Sequence, residues 1–145
     1  MLDYPKVDLV TRLIAAVIDG VISSLVGFIP IIGGIIGAVY MLIKDGLFEG
    51  QSVGKKVMKI QVRTESNEKA DFMISVRRNA IFAVPYLIMV VPIIGWIVAP
   101  IVGLVILVIE LMKLNSDPNG RRLGDTWAPS QVVFEAETSQ LSEEG

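Results

Sequence analysis

Residues 13–43 read LIAAVIDGVISSLVGFIPIIGGIIGAVYMLI and hold a single charged side chain, Asp19. Residues 79–109, NAIFAVPYLIMVVPIIGWIVAPIVGLVILVI, hold none. An uncharged apolar run of about 18 or more residues is long enough to cross a bilayer. Each of these runs is too long for one span and short of two. As one straight helix it would extend about 46 Å against a hydrocarbon core of roughly 30 Å. Flanking residues complete two pairs of spans, 7–28 with 31–48 and 74–91 with 95–114. Both runs carry the same punctuation near the middle, Pro30-Ile31-Ile32-Gly33-Gly34 and Pro92-Ile93-Ile94-Gly95-Trp96. Proline removes a donor and glycine permits a tight turn. The alternative is one long Pro-kinked helix per run.

Charge placement decides between the two. The 13 lysines and arginines all lie outside the central turns, in the segments around Lys6 and Arg12, between Lys44 and Arg78, and from Lys113 to Arg122. Two hairpins put all of them on one side, and one span per run splits them. The positive-inside rule favours the hairpins. The expected architecture is an all-α polytopic membrane protein. It has four transmembrane helices as two hairpins, both termini and the 49–73 loop cytoplasmic, and a cell-membrane location. Residues 1–134 form one domain and 135–145 an acidic disordered tail. A mean hydropathy of +0.62 fits that class. The N-terminus does not resemble a cleaved signal peptide, because the apolar run after it exceeds an h-region.

The sequence has no cysteine and no histidine. Disulfides, Cys/His metal sites, haem ligation by histidine and histidine triads are therefore excluded. No basic nucleic-acid footprint is present. No cofactor and no enzymatic activity are expected, because no catalytic set can be assembled. Gly50-Gln51-Ser52-Val53-Gly54-Lys55-Lys56 fails as a phosphate loop, with three residues between its glycines and Lys56 where Ser or Thr belongs. Lys55, Lys56 and Lys59 are instead expected near anionic lipid headgroups. Met58, Ile60 and Val62 alternate with Lys59, Gln61 and Arg63, which predicts a short strand. Gln131-Val132-Val133-Phe134 can pair with it on the cytoplasmic surface. Gly33-x-x-x-Gly37 and Gly95-x-x-x-Ala99, continuing to Gly103, form small-residue ridges suited to close helix packing or a homo-oligomer. They also suggest a weak repeat offset by 62 residues.

Four segments resemble the RDD family of membrane proteins, named for one arginine and two aspartates. They are Arg12–Asp19, Gly50–Val62, Arg78-Asn79 and Arg121-Arg122-Leu123-Gly124-Asp125-Thr126-Trp127-Ala128. Pro129 departs from the pattern, so the last strand is expected to start late. The resemblance makes Arg12, Asp19 and Asp125 the name-giving residues. It implies sodium(lithium)/proton exchange for some members and membrane quality control for a eukaryotic relative.

Asp19 lies seven residues after Arg12, on the same helix face and about 10 Å deeper. A lone carboxylate there must be protonated, paired or hydrated. Ser23, Arg78 and Asn79 are expected to meet it, and Asp8 is placed to pair with Arg12 at i,i+4. Two roles follow. In one, Asp19 exchanges a proton for Na⁺ or Li⁺, helped by carbonyls freed at Pro85 and Pro100. In the other, Arg12, Asp19 and Asp125 form a structural clasp. A third reading is a non-catalytic adaptor for membrane protein partners. The topology has a direct check. Reporters in the 64–70 loop and after Gly145 should both read cytoplasm, and tags at Gly33 or Gly95 should be external. Opposite sides for the first two would exclude the hairpins.

Overall fold

The structure, a computed structural model, describes residues 4–27, 29 and 32–138. Its elements are α1 (Leu9–Gly27), α2 (Ile32–Ile43), a 3-10 turn (Lys44–Gly46), α3 (Val53–Val57), β1 (Ile60–Thr64), α4 (Phe72–Ile88), α5 (Ile94–Ser116), α6 (Leu123–Trp127) and β2 (Ser130–Phe134). The expected turn at Pro30-Ile31 and the tail beyond 138 lie outside the described residues.

Local chemistry sets the helix starts. Asp8 accepts from Thr11 N at 2.8 Å, Ser52 Oγ from Lys55 N at 3.3 Å, and Asp71 from Ile74 N at 2.8 Å. Each caps an otherwise orphaned amide. Among the described residues, two helices are long and apolar enough to cross a membrane, Leu9–Val26 and Ile94–Ser116. The 12 residues of α2 and 17 of α4 reach only about 18 Å and 26 Å. In the second turn Ile93 takes the positive φ, 65°. The sequence pointed to Gly95 for that turn. Gly95 instead lies inside α5, where any Cβ would collide with the Ile88 carbonyl oxygen.

α1 packs on α2 and α3, α2 on α4, and α4 on α5 and α6. Small residues make these approaches possible. A Cβ on Gly34 would sit 2.8 Å from the Tyr86 carbonyl oxygen, and one on Gly37 would sit 2.7 Å from the Tyr86 ring. Gly103 lies beside Pro85, and Gly95 and Ala99 are buried. Both predicted ridges therefore take part in packing within one chain. The large side chains of the helices point outward, among them Val10, Val17, Val21, Ile97, Ile101 and Leu104. That is the arrangement expected when lipid, not water, is the solvent.

The apolar core lies at one end of the helices. Val7, Ala15, Ile60, Val62, Ala70 and Val132 form a buried cluster around the antiparallel β1–β2 pair, whose register runs from Ile60↔Phe134 to Thr64↔Ser130. β2 starts at Ser130, directly after Pro129 and one residue ahead of the Gln131–Phe134 segment that the sequence pointed to. The expected in–out alternation is damped, because Gln61 is as buried as its neighbours and bonds Thr138 Oγ1. Residues 135–138 form a helical turn with Thr138 buried, so the start of the acidic tail is ordered.

The halves repeat their plan: hairpin, short helix, strand. α3 presses on α1 and α6 on α4, each through the second residue of the short helix. A Cβ on Gly54 would collide with the Ala15 carbonyl oxygen, and one on Gly124 with the Arg78 carbonyl oxygen. Neither obstacle is a movable side-chain end. Gly54→Ala and Gly124→Ala should each lower stability by about 1–3 kcal/mol or more. The expected readout is earlier thermal unfolding in mild detergent, whereas Gly20→Ala, inside α1 with nothing within 4 Å of the new Cβ, should unfold no earlier than the wild type.

Candidate functional site

The 50–55 motif divides its work residue by residue. Gly50 takes φ 91°, where a Cβ would approach the Val62 carbonyl oxygen at 2.7 Å. The Gln51 amide donates to the Ile60 carbonyl at 3.0 Å. Ser52 caps α3 and donates to Asp19 Oδ2 at 2.6 Å, while Gly54 N donates to Asp19 Oδ1 at 2.8 Å. Lys44 Nζ reaches Asp19 Oδ2 at 3.1 Å and Tyr40 OH reaches Oδ1 at 3.4 Å. The buried Asp19 carboxylate thus ties α1 to α3 and to the end of α2.

Two further aspartates complete a network. Asp45 pairs with Lys55, with Arg78 Nε at 3.2 Å and with Asn79 Nδ2 at 3.0 Å. Ser75 Oγ accepts from Asp45 N at 3.0 Å and donates to the Leu42 carbonyl at 2.7 Å. Asp125 pairs with Arg78 Nη2 at 2.7 Å, Arg12 Nη2 at 3.1 Å and Arg122 Nη2 at 3.5 Å, and Arg12 also donates to the Gly120 carbonyl. Arg78, fully buried, bridges Asp45 and Asp125 and so joins the halves. Burial alone would raise the Asp125 carboxyl. The charges of Arg78, Arg122 and Arg12 outweigh it and hold Asp125 well below the ordinary carboxylate range. Burial lowers Lys55 to about 8, with the adjacent Asp45 carboxylate opposing that shift.

Several sequence expectations change. Arg12 pairs with Asp125 but not with Asp19. Arg78 and Asn79 meet Asp45 in place of Asp19. Ser23 Oγ is buried with no hydrogen-bond partner among the described residues, so it does not bond Asp19. Asp8 caps α1 through Thr11 and leaves Arg12 to Asp125. Lys55 turns inward to Asp45, which removes it from any headgroup contact, whereas Lys56 and Lys59 are exposed. Sequence reasoning missed Lys44, Asp45, Ser52, Arg122 and Glu110. The Glu110 side chain is buried in α5, and its Oε2 accepts from Leu123 N at 2.9 Å. Its position one residue past the uncharged run was the available signal.

A cavity of about 520 Å³ opens between α1 and α5, backed by α4. Its walls are largely apolar, with Pro85 and Pro100 among them, and they also include the charged residues Arg12, Asp19, Lys44, Lys55, Glu110 and Arg122.

The RDD family model matches residues 30–129, more than half of the sequence. The chain belongs to the RDD family. That membership, with the two long apolar helices, makes it an integral membrane protein. No curated protein and no solved structure matched the chain. The RDD match includes Asp45, Lys55, Arg78 and Asp125 and starts after Arg12 and Asp19.

Asp125→Asn should strand Arg12 and Arg78, and breaking such a buried pair costs about 3–5 kcal/mol. Folded yield in mild detergent should fall sharply. Asp19→Asn should also fall, with partial recovery in Asp19→Asn/Lys44→Met. Full yield for both single variants would show that the network is dispensable. The pH sign follows from Asp125, whose carboxyl is lowered in the folded state. Its contribution is complete above the ordinary value of 3.8 and is lost as pH falls below it. Acid unfolding should therefore steepen below that pH, and less so in any Asp125→Asn protein that folds.

Proposed function

We propose that this RDD protein is a four-span, non-catalytic membrane binding protein whose buried charges hold it together and do not exchange ions. In this reading both hairpins cross the membrane, and both termini and the 44–78 loop face the cytoplasm. The one-sided distribution of the 13 lysines and arginines supports that orientation. The observation that carries the reading is that Asp19, Asp45 and Asp125 each already hold a lysine or arginine. An exchange carboxylate must alternate between a proton and a metal cation. At Asp19 the place of that cation is taken by Lys44, and both oxygens accept further hydrogen bonds. The lack of cysteine and histidine supports a non-catalytic role.

One observation favours a second reading, sodium(lithium)/proton exchange at a different residue. Glu110 Oε1 is buried with no hydrogen-bond partner among the described residues, and Glu110 lines the cavity. Intramembrane acids commonly mark ion pathways. The test is a Na⁺ or Li⁺ pulse to proteoliposomes carrying a pH-sensitive dye. The expected trace for the wild type matches those of Asp19→Asn and Glu110→Gln, with no cation-driven proton movement. Flux that survives Asp19→Asn and disappears in Glu110→Gln would overturn the binding role and place exchange at Glu110.

A further inference from the structure

One helix pairing of the first half has no close counterpart in the repeat. α2 packs closely on α4, and the equivalent pairing by the repeat is α5 on α1. Those two helices do not pack along their length. The segments flanking them are joined at one end, where Lys6, ahead of α1, donates through Nζ to the Asp117 carbonyl just after α5 at 3.2 Å, and Arg12 donates to the Gly120 carbonyl. The cavity of about 520 Å³ is the space this leaves, and it falls within the roughly 300–1,000 Å³ of small-molecule sites. It runs along α1 from Arg12 to Ser24, about 18 Å of helix. Apolar side chains such as Leu13, Ala16, Leu107 and Leu111 line that length.

The inner end specifies more than an apolar chain. Five cations, Arg12, Lys44, Lys55, Arg78 and Arg122, face four carboxylates, Asp19, Asp45, Asp125 and Glu110. The formal excess is one positive charge. Of the six charged residues at the cavity itself, four are cations. Glu110 is 1% exposed, and its Oε1 lacks a donor among the described residues. The complement is therefore an apolar chain lying along the helices, with one negative charge and a hydrogen-bond donor at its inner end. An apolar helix from a partner supplies the first feature only. A buried excess charge and an unmet acceptor are both costly in a low-dielectric site.

We propose that the α1–α5 groove binds an anionic glycerophospholipid of the inner leaflet. One acyl chain lies between the helices, the phosphodiester sits at the Arg12 and Arg122 end, and a headgroup hydroxyl donates to Glu110. The inner-leaflet assignment rests on the cytoplasmic orientation proposed above. The groove itself does not depend on it.

The full chain is placed in nanodiscs containing phosphatidylglycerol or phosphatidylcholine with a photoreactive acyl chain, and labelled peptides are mapped by mass spectrometry. Labelling at Leu13, Ala16 and Leu107 should be about tenfold stronger from phosphatidylglycerol, the scale of a charge-assisted hydrogen bond. Ile101 and Leu104, exposed on α5, should show no such preference. Ala16 is exposed toward the groove, so Ala16→Phe should obstruct it midway and weaken the groove labels while leaving those at Ile101 and Leu104. Equal labelling by both lipids in the wild type would overturn the proposal whether or not the variant folds. So would groove labels no stronger than those at Ile101, or a cross-link between two copies at Leu13 and Leu107. Cation-driven proton flux with selective groove labelling would sink the non-exchange reading and leave the lipid site standing. No flux and no selective labelling would sink the lipid site alone.

Discussion

Arg78 is the side chain on which the arrangement depends. It is fully buried in the second turn of α4 and reaches Asp45, beyond α2, with Nε and Asp125, in α6, with Nη2. An isolated guanidinium there would carry a prohibitive desolvation penalty, so both carboxylates must be present together. That requirement brings the first hairpin, the second hairpin and the cap into one register. Arg12 and Lys55 complete the two carboxylates from α1 and α3. The result is a network in which every aspartate is shared between elements distant in sequence.

Close backbone approach makes this network geometrically possible. Gly54 on Ala15 and Gly124 on Arg78 bring the short helices against the long ones, so that Gly54 N can bond Asp19 and Asp125 can reach Arg78. Side chains larger than hydrogen would hold those donors and acceptors out of range. Apolar burial is concentrated elsewhere, around Ile60, Val62 and Val132 in the β1–β2 cap. The long helices contribute mostly small residues to their mutual contacts, since water expulsion gives them no advantage in lipid. Packing and polar bonds therefore carry the helix contacts, while the hydrophobic effect acts in the cap.

Much of this was legible in the sequence, for definite reasons. Long uncharged runs and the Pro–Gly punctuation located the four long helices, alternation located β1, and Gln131–Phe134 offered the apolar segment able to pair with it. Two helices came out shorter than spans, because hydropathy records composition and not where the backbone stops being helical. Partner choice was not legible. Asp45 sits beside Lys44 in sequence, which reads as an exposed, self-neutralising pair at a helix end. The fold separates them, sending Lys44 to Asp19 and Asp45 to Arg78. Lys55 next to Lys56 reads as a solvated basic patch, yet one turns in and the other lies over the Phe48 ring. Helical phase alone cannot say which of two adjacent cations faces a carboxylate contributed by another segment.

The sequence separations within the network have a consequence for biosynthesis. Asp19 finds Lys44, Ser52 and Gly54 within 35 residues, so its partners are all available once the first hairpin and α3 have been made. Arg78 finds Asp45 behind it, but its second carboxylate, Asp125, is translated only after α5. The strand β2, which closes the cap onto β1, emerges later still. A chain made from the N-terminus thus passes through a stage in which Asp19 and Asp45 already hold their partners, while Arg78 is half satisfied and Arg12 still awaits Asp125. Ribosomal order alone then makes the last two dozen described residues the step that locks the molecule. A truncation there would leave a membrane-inserted chain with an open charge for quality-control machinery to read.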